Sequence, residues 1–242
     1  MRVIVTRPEH SGERTARRLV EMGHEPIGVP LSRPIHTAEA AKEALSVHAG
    51  PIAITSAEAV RAIEELGLFL APHLAKPVYA VGKATADKAS KAGFTTIHVS
   101  EGSGADLANL VAGHFDGVSS VAVLYLAGMP RAAGFETRLR ELNVPFQVIE
   151  CYHMAEIQYE AGFLPQLFSE KRPQAVLLYS RLTAEQFFRL ADVPAGPELL
   201  KDLRILCLSP AIAELVPIAC RQNVAIASVP EEDSLLTLLE GA

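Results

Sequence analysis

Cysteine is scarce in this 242-residue chain: only Cys151, Cys207 and Cys220, with no C-x-x-C pair. An odd, sparse set in apolar surroundings is not a disulfide framework. It reads as reduced thiols and points to a cytoplasmic protein. The eight histidines are scattered without an H-E-x-x-H, so a dedicated metal site has no support. No apolar run approaches the ~18 residues of a membrane span, which excludes a membrane role of that kind. The opening "MRVIVTRPEH" lacks a cleavage-site pattern and is not a signal peptide. Basic residues are also short: 22 against 28 acidic, for a net charge of −6. General nucleic-acid binding needs Lys and Arg to displace counterions, so it is excluded as well. A small anionic ligand held by local donors is not.

Two catalytic signatures are missing. There is no G-x-S-x-G, and no serine pairs with a histidine and an acid by spacing alone. "EGSGADL" carries Gly102-x-Gly104, but Leu107 stands where a dinucleotide fingerprint needs its third glycine. A nicotinamide or flavin cofactor is therefore not expected.

What is present is core. Hydrophobic residues make up 49% of the chain and mean hydropathy is +0.21, ample to bury a large interior and too apolar for disorder. Short β-rich runs alternate with helical patterns throughout. The runs are Val3-Val5, Pro26-Val29, Ile52-Thr55, Val78-Val81, Thr96-Val99, Val121-Leu126, Phe146-Ile149, Ala175-Tyr179, Ile205-Leu208 and Ala225-Val229. They show little polar alternation, as strands do when helices cover both faces of a parallel sheet. The chain reads as α/β. In "ERTARRLVEMG" the helical spacing places Ala16, Leu19, Val20 and Met22 inward, with Gly23 as the stop.

Ten strands are many for one sheet, and the pattern repeats. "AITSAEAV" and "LLYSRLTAEQF" each run a strand into a serine, Ser56 or Ser180, at a helix start. Ser56 to Gly82 spans 26 positions and Ser180 to Ser209 spans 29; the next steps, to Ser100 and Ser228, span 18 and 19. The fourth element of the middle copy, "VAVLYLAGMPRAAGFETRLRELNVPFQVIECY", matches best the start of the chain. This order makes domain 1 discontinuous, 1–34 plus 153–242, with domain 2, 36–150, inserted. The linkers fall near 30–36 and 150–153, and the domains would face one another across a cleft.

Ligands of open parallel sheets gather at the carboxyl ends of the strands. Those ends hold Thr6-Arg7, Thr55-Ser56, Gly82-Lys83, Ser100 to Gly104, Ala127-Gly128, Tyr179-Ser180 followed by Arg181, and Leu208-Ser209. The set is rich in hydroxyls and helix starts, and poor in carboxylates and histidines. Free N–H donors with a partial positive charge suit a polycarboxylate. Each serine also sits where an N-cap belongs, and Asp106 and Asp233 fit as ordinary first-turn acids. Arg7, Lys83 and Arg181 are either surface charges or the local positive field of a site. Tyr152, at the second crossing between domains, is the best candidate for proton chemistry, because a phenol with a pKa of about 10 stays protonated at neutral pH. Packing one domain on the other is its alternative role.

The pieces "VTRP", "AITSAEAVRA", "VYAVGKATADKASKAGF", "GSGADLA", "VLYLAG", "FETRLRELNV", "VIECY", "AVLLYSRLTAEQF" and "LCLSPAIAEL" resemble, in this order, the uroporphyrinogen-III synthase family across nearly the whole chain. The resemblance implies two similar doubly wound, flavodoxin-like parallel-sheet domains joined by a two-stranded linker. It implies a cofactor-free, metal-free lyase of heme biosynthesis. Such an enzyme cyclises linear hydroxymethylbilane to uroporphyrinogen III, with loss of water and inversion of ring D through a spirocyclic intermediate. The family's cleft tyrosine maps to Tyr152 and its substrate-contacting hydroxyls to Ser56, Thr85 and Ser180. Ser209 stands where some relatives have glycine. Arg7, Thr55, Gly82, Lys83 and Arg181 join the binding set as strand-end neighbours. The small-molecule substrate is the partner required. The preceding enzyme of the pathway is an allowed one, and a monomer is expected. The competing function is a non-catalytic two-domain binder or sensor of a polyanionic small molecule.

Overall fold

A computed structural model describes residues 1–100, 102–115, 121–191 and 196–240. The chain opens with β1 (Arg2–Val5), α1 (Glu9–Glu21), β2 (Glu25–Gly28) and β3 (Ser32–His36). There follow α2 (Ala38–Val47), β4 (Ile52–Ile54), α3 (Ala57–Glu64), β5 (Val78–Val81), α4 (Gly82–Lys91), β6 (Ile97–Ser100) and α5 (Gly104–Gly113). Next come β7 (Val123–Met129), α6 (Gly134–Glu141) and β8 (Phe146–Glu156). The last part holds α7 (Phe163–Lys171), β9 (Ala175–Leu178), α8 (Arg181–Ala191), α9 (Gly196–Leu200), β10 (Arg204–Cys207), α10 (Pro210–Ala213), β11 (Val224–Ile226) and α11 (Glu232–Thr237).

The chain divides into two compact units. The first is Met1–Arg33 with Ala155–Ala242, and the second is Pro34–Met154. In the first, the strand order is β11-β10-β9-β1-β2, every pairing parallel. In the other sheet the order is β3-β8-β7-β4-β5-β6, parallel from β8 to β6. The two orders coincide when β4, β5 and β6 are laid on β9, β10 and β11, and β7 and β8 on β1 and β2.

Period-two alternation explains why the strands read as continuously apolar. In the first unit Ile4, Val176, Leu178 and Ile205 pack with Phe187 and Ala184 of α8 on one face. Val3, Val5, Leu177 and Leu206 pack with Leu19 of α1 and Leu235 of α11 on the other. In the second unit Ile52, Ile54, Leu124 and Leu126 meet Val60 and Ile63 of α3. Ala53, Val123, Tyr125 and Ala127 meet Leu107 of α5 and Phe135 of α6. Helices on both faces leave no solvated side where polar residues would be tolerated.

Two local expectations change. The inward face of α1 is Thr15 and Leu19, while Val20 is 61% exposed. Val20 lies about 100° around the helix from Leu19, off the narrow buried stripe. The segment near 30–36 contains a strand that propensity missed, because Ser32, Arg33 and Pro34 are poor strand formers. Its partner β8 runs antiparallel to it: the Thr37 amide donates to the Cys151 carbonyl at 2.8 Å, and the Ile157 amide to the Leu31 carbonyl at 3.0 Å. All three cysteines are free and buried.

Phe187, fully buried between α8 and the sheet, is the test of this packing. Phe187→Ala should cost about 3–5 kcal/mol of unfolding free energy, read from urea denaturation. A loss below 1 kcal/mol would mean that the α8 face is not the core described.

Candidate functional site

In the second unit β4 ends in Thr55 and Ser56. The Thr55 hydroxyl shares a 2.8 Å hydrogen bond with the Tyr125 phenol of β7. Ser56 is extended and caps α3, its hydroxyl accepting from the Glu58 amide at 3.1 Å. Beside it β5 runs directly into α4 through Gly82, whose φ of +70° lies in the left-handed region that favours glycine. Lys83 follows, exposed and without an ion-pair partner among the described residues. Thr85, one turn into α4, is buried. Ser100 ends β6 with a buried hydroxyl that finds no partner among the described residues.

Tyr152 comes from β8, and a bulge aims it. Pairing with β7 runs Ala127 to Glu150 and then jumps to Gly128 with Tyr152, leaving Cys151 as the extra residue. In an unbulged register, with Cys151 opposite Gly128, Tyr152 would stand opposite Met129, facing the other side of the sheet. The Cys151 thiol donates to the Ala127 carbonyl at 3.4 Å, and burial pushes it up to about 12, so it is no nucleophile. Arg131 braces the bulge, donating to Glu136 and Glu150 at 2.7 Å each and to the Gly128 carbonyl at 3.4 Å. Tyr152 is 9% exposed. Burial raises its phenol above the ordinary tyrosine value, and the Ser56 hydroxyl pulls it only partly back. It is therefore a protonated donor at neutral pH.

The first unit is wired differently. Arg7, following β1, donates to Glu232 at 2.6 Å and lies 4.4 Å over the Tyr179 ring. Thr15 and Tyr179 also donate to Glu232, at 2.5 and 3.0 Å, and Arg18 reaches both Glu232 and Asp233. Burial opposes the Glu232 charge, but Thr15, Arg7 and Tyr179 outweigh it and hold the carboxyl below its usual range. Ser180 caps α8, accepting from the Thr183 amide at 3.1 Å. Arg181 is exposed and donates to the Ala211 carbonyl at 3.0 Å. Ser209 occupies the N-cap of α10 without a side-chain cap bond, and Pro210 follows it.

Within the second unit the structure thus places Thr55 and Ser56 at the end of β4 and Tyr152 on β8, across β7 from Ser56, with Gly82, Lys83 and Thr85 in the first turn of α4 after the neighbouring β5. Arg7, Ser180, Arg181 and Ser209 lie at strand ends of the first. Sequence reasoning missed Glu232 and Tyr125, whose partners Arg7 and Thr55 are set by the fold over long separations, and Arg131, whose brace depends on the pairing of β7 with β8. Of the glycines of "EGSGADL", Gly102 serves a cap and Gly104 lets α5 approach Phe135 of α6. A Cβ at Gly102 would fall 2.1 Å from the Asp106 carboxylate, which accepts from Ser103 in a capping box. Asp106 is thereby a first-turn acid, as expected, while Glu101 of this stretch lies outside the described residues. Among the described residues no group of three or more His, Cys, Asp or Glu is placed to hold a metal, and no helix is long and apolar enough to cross a membrane.

The family described as "Uroporphyrinogen-III synthase HemD" matches residues 13–237. The chain belongs to the uroporphyrinogen-III synthase family. Members are lyases of porphyrin biosynthesis. No curated protein matches the chain. Among solved structures it is similar to the uroporphyrinogen-III synthetase of Helicobacter pylori, at 15% identity and TM-score 0.65 over 99% of each chain. A mutant uroporphyrinogen III synthase of Thermus thermophilus is similar at 19% identity and TM-score 0.54, over 100% of this chain and 96% of that one. At these identities the structures establish a shared fold, two parallel-sheet α/β domains, while the synthase assignment rests on the family match.

His36, on β3, supplies a pH test of the site's frame. Its ring meets Glu58 of α3 at 2.8 Å and Glu65 at 2.5 Å. Burial opposes its charge, yet the hydrogen bonds of Glu65 and Glu58 prevail and raise its pKa. A raised folded value stabilises fully below about pH 6.5 and is lost as pH climbs through the folded pKa. His36→Gln should therefore lose more stability at pH 5.5 than at pH 9 in urea denaturation. Equal losses at both would show that the pair carries no charge linkage.

Proposed function

We propose that the chain cyclises linear hydroxymethylbilane to uroporphyrinogen III, with ring D inverted, and that Tyr152 assists departure of the terminal hydroxyl. The observation that carries this is a buried phenol held protonated, with the Ser56 hydroxyl beside it at the end of β4. Its O–H donates to the leaving hydroxyl, which departs as water and leaves an electrophilic methylene carbon. The substituted carbon of ring D attacks that carbon and gives the spirocyclic pyrrolenine. Reopening and reclosure invert the ring, and the proton released as the pyrrole regains aromaticity returns to the phenolate.

Hydroxymethylbilane closes unaided to the wrong isomer, so the enzyme's task is to hold a flexible chain in one shape. Backbone donors and hydroxyls suit that task. The helix starts at Ser56, Gly82 and Ser180 offer amides to substrate carboxylates, with Thr85, Arg181 and Ser209 beside them. Lys83 is open to a carboxylate, whereas Arg7 is already neutralised by Glu232.

Freshly generated hydroxymethylbilane should yield mainly the type III isomer after oxidation and separation. Type I alone at the blank rate would reject the assignment. Saturable, salt-sensitive binding without turnover would turn the chain into the polyanion binder considered above. Tyr152→Phe should lower kcat by about 10²-fold with an unchanged urea midpoint, and wild-type kinetics would remove Tyr152 from the chemistry. Lys83→Ala should raise KM several-fold and spare kcat, and an unchanged KM would free Lys83 of substrate contact.

A further inference from the structure

Tyr152, Gly128 and Ser56 stand level with one another on three neighbouring strands. The sheet order β8-β7-β4 puts β7 between the other two. Gly128 pairs with Tyr152 directly. Leu126 pairs with Ile54, so two positions further along the same face Gly128 lies level with Ser56. Alternation agrees, because Ile54, Leu126 and Tyr152 all belong to one hydrophobic layer. To reach Ser56 the phenol must cross β7, and any side chain on β7 at that level would stand in its way. A Cβ at Gly128 would fall 2.1 Å from the ring's ζ carbon, 2.6 Å from Cε1 and 2.5 Å from the hydroxyl oxygen. No smaller side chain exists, and the obstructed atoms are the reactive end of the residue.

We infer that Gly128 is a positioning residue for the reaction: its missing side chain opens the lane through which Tyr152 crosses β7 and brings its hydroxyl beside Ser56 at the end of β4. This deepens the proposed function and rests on it for the catalytic consequence, though not for the geometry. The glycine is not there for backbone freedom, since Gly128 is not among the residues with positive φ. Its role is spatial. The bulge at Cys151 turns Tyr152 to the correct face, and the Arg131 brace between β7 and β8 holds the two strands in that register. Ring placement then depends on the one residue lying beneath it. A shift of about 1 Å in a reacting group is enough to cost on the order of 10²-fold in rate.

Gly128→Ala, Tyr152→Phe, Tyr152→Ala and the double variant Gly128→Ala/Tyr152→Ala test this. Gly128→Ala should lower kcat about 10²-fold, leave KM within a few-fold and raise the share of type I product. The same change in the Tyr152→Ala background should cost nothing further, because the ring it displaces is gone. Spectrophotometric titration gives a readout independent of turnover: the phenol missing from Tyr152→Phe should ionise at lower pH in Gly128→Ala, expelled from its buried lane. If Gly128→Ala fails to fold, the double variant should fold, since the clash is relieved; a double variant that also fails overturns the inference. So does a Gly128→Ala enzyme with wild-type kcat and tyrosine titration, or one whose penalty persists without the ring. If instead Tyr152→Phe is fully active while Gly128→Ala still shifts the titration, the role of Tyr152 in catalysis falls and the placement by Gly128 stands.

Discussion

Covering both faces of a parallel sheet leaves polar chemistry with one outlet, the ends of the strands. Inward positions on β1, β4, β5, β7, β9 and β10 are apolar apart from the phenols of Tyr79 and Tyr125 and the Cys207 thiol, and the serine and threonine hydroxyls are met where strands stop: Thr6, Thr55, Ser56 and Ser180. Helices begin at the same places, so unpaired amides accumulate beside the hydroxyls. The rest of the structure depends on this constraint. It explains a site with donors and few acids, and it explains why an acidic chain can still present local positive potential to a carboxylate.

The two units use the same strand order to different ends. At the strand ends of the first, a single carboxylate, Glu232, gathers Arg7, Arg18, Thr15 and Tyr179. Such a network is satisfied internally and rigid. In the second, Tyr152 is held by shape rather than by charge, with a glycine beneath it and a bulge behind it. One unit has closed its polar groups on themselves; the other keeps a phenol, a lysine and a serine hydroxyl uncommitted to ion pairs.

What could be read from the sequence follows from what is local. The ten apolar runs correspond to strands because hydrophobic continuity is written residue by residue, and Ser56 and Ser180 were placed at helix starts by the same local logic. β3 escaped because its residues are poor strand formers and only pairing with β8 makes them extended. Ser209 sits where a cap belongs, yet makes no cap bond. Tyr152 was picked out by its place in the chain, but the face it occupies is decided by a one-residue bulge that no periodicity reveals. Glu232 went unnoticed beside the first-turn acid Asp233, because its partner Arg7 lies 225 positions away. Gly128 was placed at a strand end, but nothing local asked for a glycine there, since the requirement resides in a ring 24 residues further on.

The permuted order of the first unit has a bearing on how the chain is made. β1 takes its place between β2 and β9, and the Thr6 hydroxyl closes that join on the Leu177 carbonyl, 171 residues later. The second unit is contiguous, Pro34–Met154. As the chain leaves the ribosome, the inserted unit has all its strands while β1 and β2 still wait for their central neighbour. Assembly during synthesis therefore runs from the middle outward, and the β1-α1-β2 unit is among the last pieces to find its sheet.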